Sequence, residues 1–93
     1  MQDEKEKSTD ILIRTLGNIL KRHRIAQRKT IYKISAEVSM SKATWREAEI
    51  GACKDIKLTT LWKIAEGLEI PLENIINEVK EELGAGFSLT EET

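Results

Sequence analysis

The sequence predicts an all-α fold, one compact domain of five helices. Three observations carry that expectation. Apolar residues recur at spacings of three and four along most of the chain, no stretch alternates apolar and polar residues as a half-buried strand does, and the breaks between stripes fall at capping residues. With 93 residues, 40% of them apolar and 33% charged, the chain can bury a single small core. The expected organisation is a flexible N-terminal tail over residues 1–8, the folded domain over 9–83 and a second tail over 84–93.

The elements follow in order. Ser8, Thr9 and Asp10 are N-cap candidates for a first helix, whose stripe runs Ile13, Leu16, Ile19, Leu20 and His23. Lys21, Arg22 and Arg24 in its last turns suit the negative end of the helix dipole. Thr30 caps a short second helix with Ile31, Ile34 and Val38 on one face. A break at Ser39-Met40-Ser41 leads to a third helix, from Lys42 to Glu49 or Ile50, capped by Ser41 and ended by Gly51. After a loop from Ala52 to Lys57, the residues Leu58, Leu61, Trp62, Ile64, Ala65 and Leu68 define a fourth helix. Pro71 opens a fifth, striped by Leu72, Ile75, Ile76, Val79 and Leu83, and Gly84-Ala-Gly86 ends it.

Several functions are disfavoured at once. No apolar run is long enough to span a bilayer and no signal peptide is present, so a cytoplasmic protein is expected. Cys53 is the single cysteine, which rules out an internal disulfide and any multi-cysteine metal site; neither a metal nor another cofactor is expected. His23 has no ligand cluster around it. Ser35, Ser39 and Ser41 lack a base with partners to orient it, and no phosphate-cradling glycine loop occurs, so an enzyme is not expected. Trp45 and Trp62 both lie on apolar helix faces and are expected in the core rather than as base-stacking platforms.

Charge points toward a polyanionic partner. The net charge is −1, yet Arg14 to Arg46 holds nine basic residues and one acid, whereas Glu47 to the end holds eleven acids and four lysines. A field set by one dense block, not the total charge, attracts nucleic acid. The short connection between the second and third helices forces the tight crossing of a helix-turn-helix. Helical spacing then turns Trp45, Ala48 and Glu49 inward. Lys42, Ala43, Arg46 and Glu47 fall on the other side, with Thr44 at the edge. That outward set holds the groups that read base edges: Arg or Lys for guanine, Glu for a cytosine amino group, a methyl for thymine.

The segment TIYKISAEVSMSKATWREAEIG (30–51) resembles the helix-turn-helix of the phage repressor and Cro-like (XRE-type) family. Flanking features match as well: Arg24 near the end of the first helix, Glu49-Ile50-Gly51 closing the third, and LTTLWKIAEGL (58–68) as the fourth. The likeness covers about residues 12–76. It implies a sequence-specific double-stranded DNA-binding protein, a bacterial or phage transcriptional regulator with its third helix in the major groove. Base contacts are implied for Lys42, Ala43 and Glu47, with Thr44 and Arg46 beside them, and an ion pair for Arg24 and Glu49. Phosphate contacts are expected from Arg28, Lys29, the N–H of Ile31, Lys33, Ser41 and Lys54. The chain departs from the pattern at Ile31, where the family usually has Gln, at Ser39, where it usually has Gly, and in a longer 51–58 loop without its Pro.

Two questions stay open at this level. The long fifth stripe either packs wholly onto the fourth helix or leaves Val79 and Leu83 for a homodimer interface that sets two third helices one DNA turn apart. The rival function is a protein-interaction module, or an antitoxin-like protein, that uses the same fold with weak or no DNA binding; Ile31 and the acidic Glu47 favour it.

Overall fold

The computed structural model describes residues 7–90. It contains α1 (Ser8–Ala26), α2 (Ile31–Glu37), α3 (Lys42–Ile50), α4 (Leu58–Leu68) and α5 (Leu72–Leu83), with no strand among the described residues. Most of the two expected tails lies beyond those bounds or forms no regular element; α1 takes in Ser8 itself. The cap position of α1 is Lys7, which makes no side-chain cap bond, so the cap expected from Ser8, Thr9 or Asp10 does not form.

The stripes read from the sequence build the core. Ile13, Leu16, Ile19 and Leu20 of α1 are buried together with Ile34, Trp45, Ala48, Leu61, Ile64, Ala65, Leu68, Ile75 and Val79. Helix α1 packs against α3 and α5, α2 against α3 and α4, and α4 against α5. Seven-residue α2 and nine-residue α3 are too short to persist alone, so burial against α1 and α4 must hold them. Their caps define where each begins. Thr30 Oγ1 accepts the Lys33 N–H at 3.1 Å, and Ser41 Oγ accepts the Thr44 N–H at 3.1 Å.

Four helices end in the same way. After α2, Ser39 turns left-handed (φ 57°), its N–H reaches the Ala36 carbonyl and the Met40 N–H returns to Ser35. This double return satisfies carbonyls that the helix leaves without partners. The same pattern ends α1 at Arg28 (φ 59°) and α4 at Glu69 (φ 58°); Gly51 (φ 70°) ends α3 with the Ala52 N–H returning to Glu47. Only one of the four uses glycine. Ser39, standing where the family usually has Gly, adopts the left-handed turn itself, at a cost of about 1–2 kcal/mol.

Some expected core positions face water. Trp62 is 55% exposed. The buried arc of α4 is set by Leu61, Ile64, Ala65 and Leu68, and Trp62 turns away from it, toward the groove between α4 and α5. Leu58 and Ile76 are exposed as well. Val79 goes the other way: it is 4% exposed within the single chain, occupied by the core, and so leaves no surface for the expected homodimer contact. Leu83 is half-buried against that core.

Gly17 marks a close approach between α1 and α3. A Cβ on it would lie 2.4 Å from the Glu49 carbonyl oxygen and 2.6 Å from that of Ala48, so the backbones of α1 and α3 meet there. Alanine should destabilise the protein by about 3 kcal/mol, the upper end for overpacking, despite its better helix propensity. Urea unfolding of Gly17→Ala checks this; stability within about 1 kcal/mol of the parent would mean that the helices can separate at little cost.

Candidate nucleic-acid interface

Helix α3 is held from behind by one buried carboxylate. Glu49, with a side chain 2% exposed, takes Nε of Arg24 on Oε2 at 2.6 Å and a terminal nitrogen of the same guanidinium on Oε1 at 3.0 Å. Trp45 donates its indole N–H to Oε2 at 2.7 Å. The third nitrogen of Arg24 donates to the Lys29 carbonyl at 2.7 Å, reaching the loop that leads into α2. A single guanidinium thus ties α1 to α3 and to the α1–α2 loop. The ion pair was implied by resemblance; its indole partner was not anticipated, although Trp and Glu four apart on one buried face are the signal that could have found it.

With Trp45, Ala48 and Glu49 buried, the opposite face of α3 turns out. Lys42, Ala43, Thr44, Arg46 and Glu47 are all exposed, as the helical spacing requires. Among the described residues, neither Arg46 nor Glu47 is engaged by another side chain. Thr44 is partly committed: its hydroxyl accepts from Ser41 at 2.9 Å. Ser41 spends its one donor on that bond while accepting the Thr44 N–H. It is a cap, with no proton left for a phosphate.

The basic block is thinner on this surface than the sequence implies. Arg24 is consumed by Glu49, and Arg22 pairs with Glu82 of α5 at 2.5 Å. Lys29 departs most from expectation. Its ammonium donates to the Gly67 carbonyl at 3.2 Å and lies 3.8 Å from Glu37, with the side chain 24% exposed. Gln27 donates to the neighbouring Leu68 carbonyl at 2.8 Å. Together these two close the C-terminal end of α4, whose carbonyls lack helical partners. Lys29 is therefore a strut between loop and helix, not an outward phosphate clamp. Arg28, Lys33 and Lys54 remain exposed. Ile31 is half-buried against the core, which explains why an apolar residue stands there.

Other candidates resolve quietly. His23 Nε2 lies 2.8 Å from a Glu78 carboxylate oxygen and links α1 to α5. Cys53 is partly exposed in the α3–α4 loop. No group of His, Cys, Asp or Glu among the described residues could hold a metal ion, and no helix there is long and apolar enough to cross a membrane.

A short helix pair crossed at a tight turn, with the second helix anchored inward and polar outward, defines a helix-turn-helix architecture. No protein-family model matches the chain, and no curated protein does. The fold is similar to the crystal structure of the clp gene regulator ClgR from C. glutamicum, with a TM-score of 0.70 and 18% sequence identity over 80% of this chain and 95% of that one. The likeness is one of fold.

Removing Arg24 strands the Glu49 charge in the core, so Arg24→Leu should cost about 3–5 kcal/mol. Adding Glu49→Gln should return part of that loss, since the charge disappears while an oxygen can still accept from Trp45. Chemical denaturation of the two variants checks the sign of the second step; further destabilisation would mean that the carboxylate does not depend on Arg24.

Proposed function

We propose that this protein binds double-stranded DNA in a sequence-specific manner and acts as a bacterial or phage transcriptional regulator of the repressor and Cro-like type. The observation that carries the reading is the division of α3: three buried side chains fix its roll, and Lys42, Ala43, Thr44, Arg46 and Glu47 share its outward face. In the major groove, Lys42 and Arg46 would donate to guanine, Glu47 would accept from a cytosine amino group, and the Ala43 or Thr44 methyl would meet thymine. Arg28, Lys33, Lys54 and the N–H of Ile31 would hold phosphates, which position the protein without reading sequence.

Two protomers would give two reading helices. They would pair through the groove between α4 and α5, a reading supported by Val79 being buried in the core while Trp62 and Ile76 are exposed there. That same apolar groove favours the second reading, an interaction module for another protein.

Selecting duplexes from a random pool at about 150 mM salt should enrich one motif, with inverted symmetry if two protomers bind together. Lys42→Ala and Arg46→Ala should each weaken binding to it by about 1–3 kcal/mol. Both side chains are exposed, so folding stability should change by no more than about 0.5 kcal/mol. Absence of an enriched motif counts against the DNA reading. Equal losses on scrambled DNA would reassign the residue to phosphate positioning.

Salt titration separates the two functions. With Arg28, Lys33 and Lys54 each neutralising a phosphate, the slope of log affinity against log salt should be about −3 per protomer. A protein partner seated on the apolar groove would give a far shallower slope.

A further inference from the structure

Tyr32 is 71% exposed, and its ring centroid lies 5.5 Å from the Lys42 ammonium. Tyr32 is the second residue of α2 and Lys42 the first of α3, so the contact closes the open side of the turn between them. The ring has no core to fill. Its backbone carbonyl accepts from the Ser35 hydroxyl at 3.3 Å. A polar aromatic side chain held in water beside a candidate base-reading residue calls for a role outside the fold.

Lys42 has a specific weakness as a reading residue. A lysine is a point charge on a flexible four-carbon stem, with no fork to orient it. Alone on the first turn of a helix it samples many rotamers and meets any nearby acceptor. An aromatic face removes much of that freedom by attracting the ammonium electrostatically. The ammonium carries three donors, so a ring on one side leaves others open for a guanine edge. Arg46 lies four residues further along, on the same side of α3, and meets no ring or carboxylate among the described residues. The support at Lys42 is local and specific.

We propose that Tyr32 is a positioning residue for Lys42: its ring seats the ammonium, and the seated lysine sharpens preference at the base pair that it meets. This rests on the DNA reading given above. The preceding residue, Ile31, packs against the core, so Tyr32 is the side chain of the first α2 turn that stands beside Lys42.

The test has one arm without DNA and one with it. In the free protein, ring current should move the Lys42 Hε protons upfield in the NMR spectrum; Tyr32→Phe should keep that shift and Tyr32→Leu should abolish it. On the duplex enriched by the parent protein, Tyr32→Leu should weaken binding roughly two- to five-fold, the scale of an exposed ring–cation contact. It should also flatten preference at one base pair, while Tyr32→Phe retains it. In a Lys42→Ala background the Tyr32→Leu change should have no further effect. Melting temperatures should match throughout, since the ring is exposed. A missing upfield shift, an equal loss without Lys42, or a loss with Tyr32→Phe as large as with Tyr32→Leu would each overturn the proposal. If the shift is present but the parent enriches no duplex, the DNA reading has failed and the specificity role falls with it, leaving a local contact.

Discussion

The Glu49 carboxylate is the constraint on which the arrangement of the first three helices depends. A charge with 2% of its side chain exposed is tolerable only when its oxygens are engaged, and here Arg24 and Trp45 engage both. These partners come from two helices, so satisfying one residue fixes several relations together. The Trp45 bond sets which way the indole faces in the core. The Arg24 bonds set the distance of α3 from α1, and the third Arg24 nitrogen holds the chain as it enters α2. The roll of α3, which decides what its outer surface displays, follows from this inner arrangement.

Much of the fold was legible because helical stripes are a periodic signal. The five segments, the Thr30 and Ser41 caps and the Gly51 terminus are each written in a few adjacent residues, and the structure places them as expected. What escaped was information held between distant segments. Nothing near Lys29 announces that the end of α4 will lie beside it, 38 residues further along, and will use its ammonium. The Trp62 stripe looked like core because six apolar residues on a short helix subtend a wider arc than its neighbours can cover. Trp62 is exposed and Val79 buried for one reason: coverage belongs to the packing partner, and α5 lies against α1 as well as α4. On the outward face of α3 the sequence was sufficient, since side chains that no partner covers obey helical geometry alone.

The basic block illustrates a related point. Formal charge counts residues, but a field at a surface counts only cations that the protein leaves uncommitted. Arg22 at the surface and Arg24 and Lys29 further in are paired within the protein, joining α1 to α5, α1 to α3 and the α1–α2 loop to α4. The acidic C-terminal half is therefore partly a structural counterweight to the basic first half. This removes cations from the general attraction of the domain and leaves Lys42 and Arg46 a larger share of it.

The backbone contact at Gly17 has a mechanical meaning. Two helices separated by side chains can slide or tilt as those side chains change rotamer, in the manner of a shear joint. Where main chain rests on main chain there is no compliant layer between them. Helix α3 is keyed to α1 as a tooth is to its root, and a load applied along its outer face passes directly into the longest helix of the molecule. Any surface that meets α3 must accommodate its shape, because the helix has almost no freedom to accommodate in return.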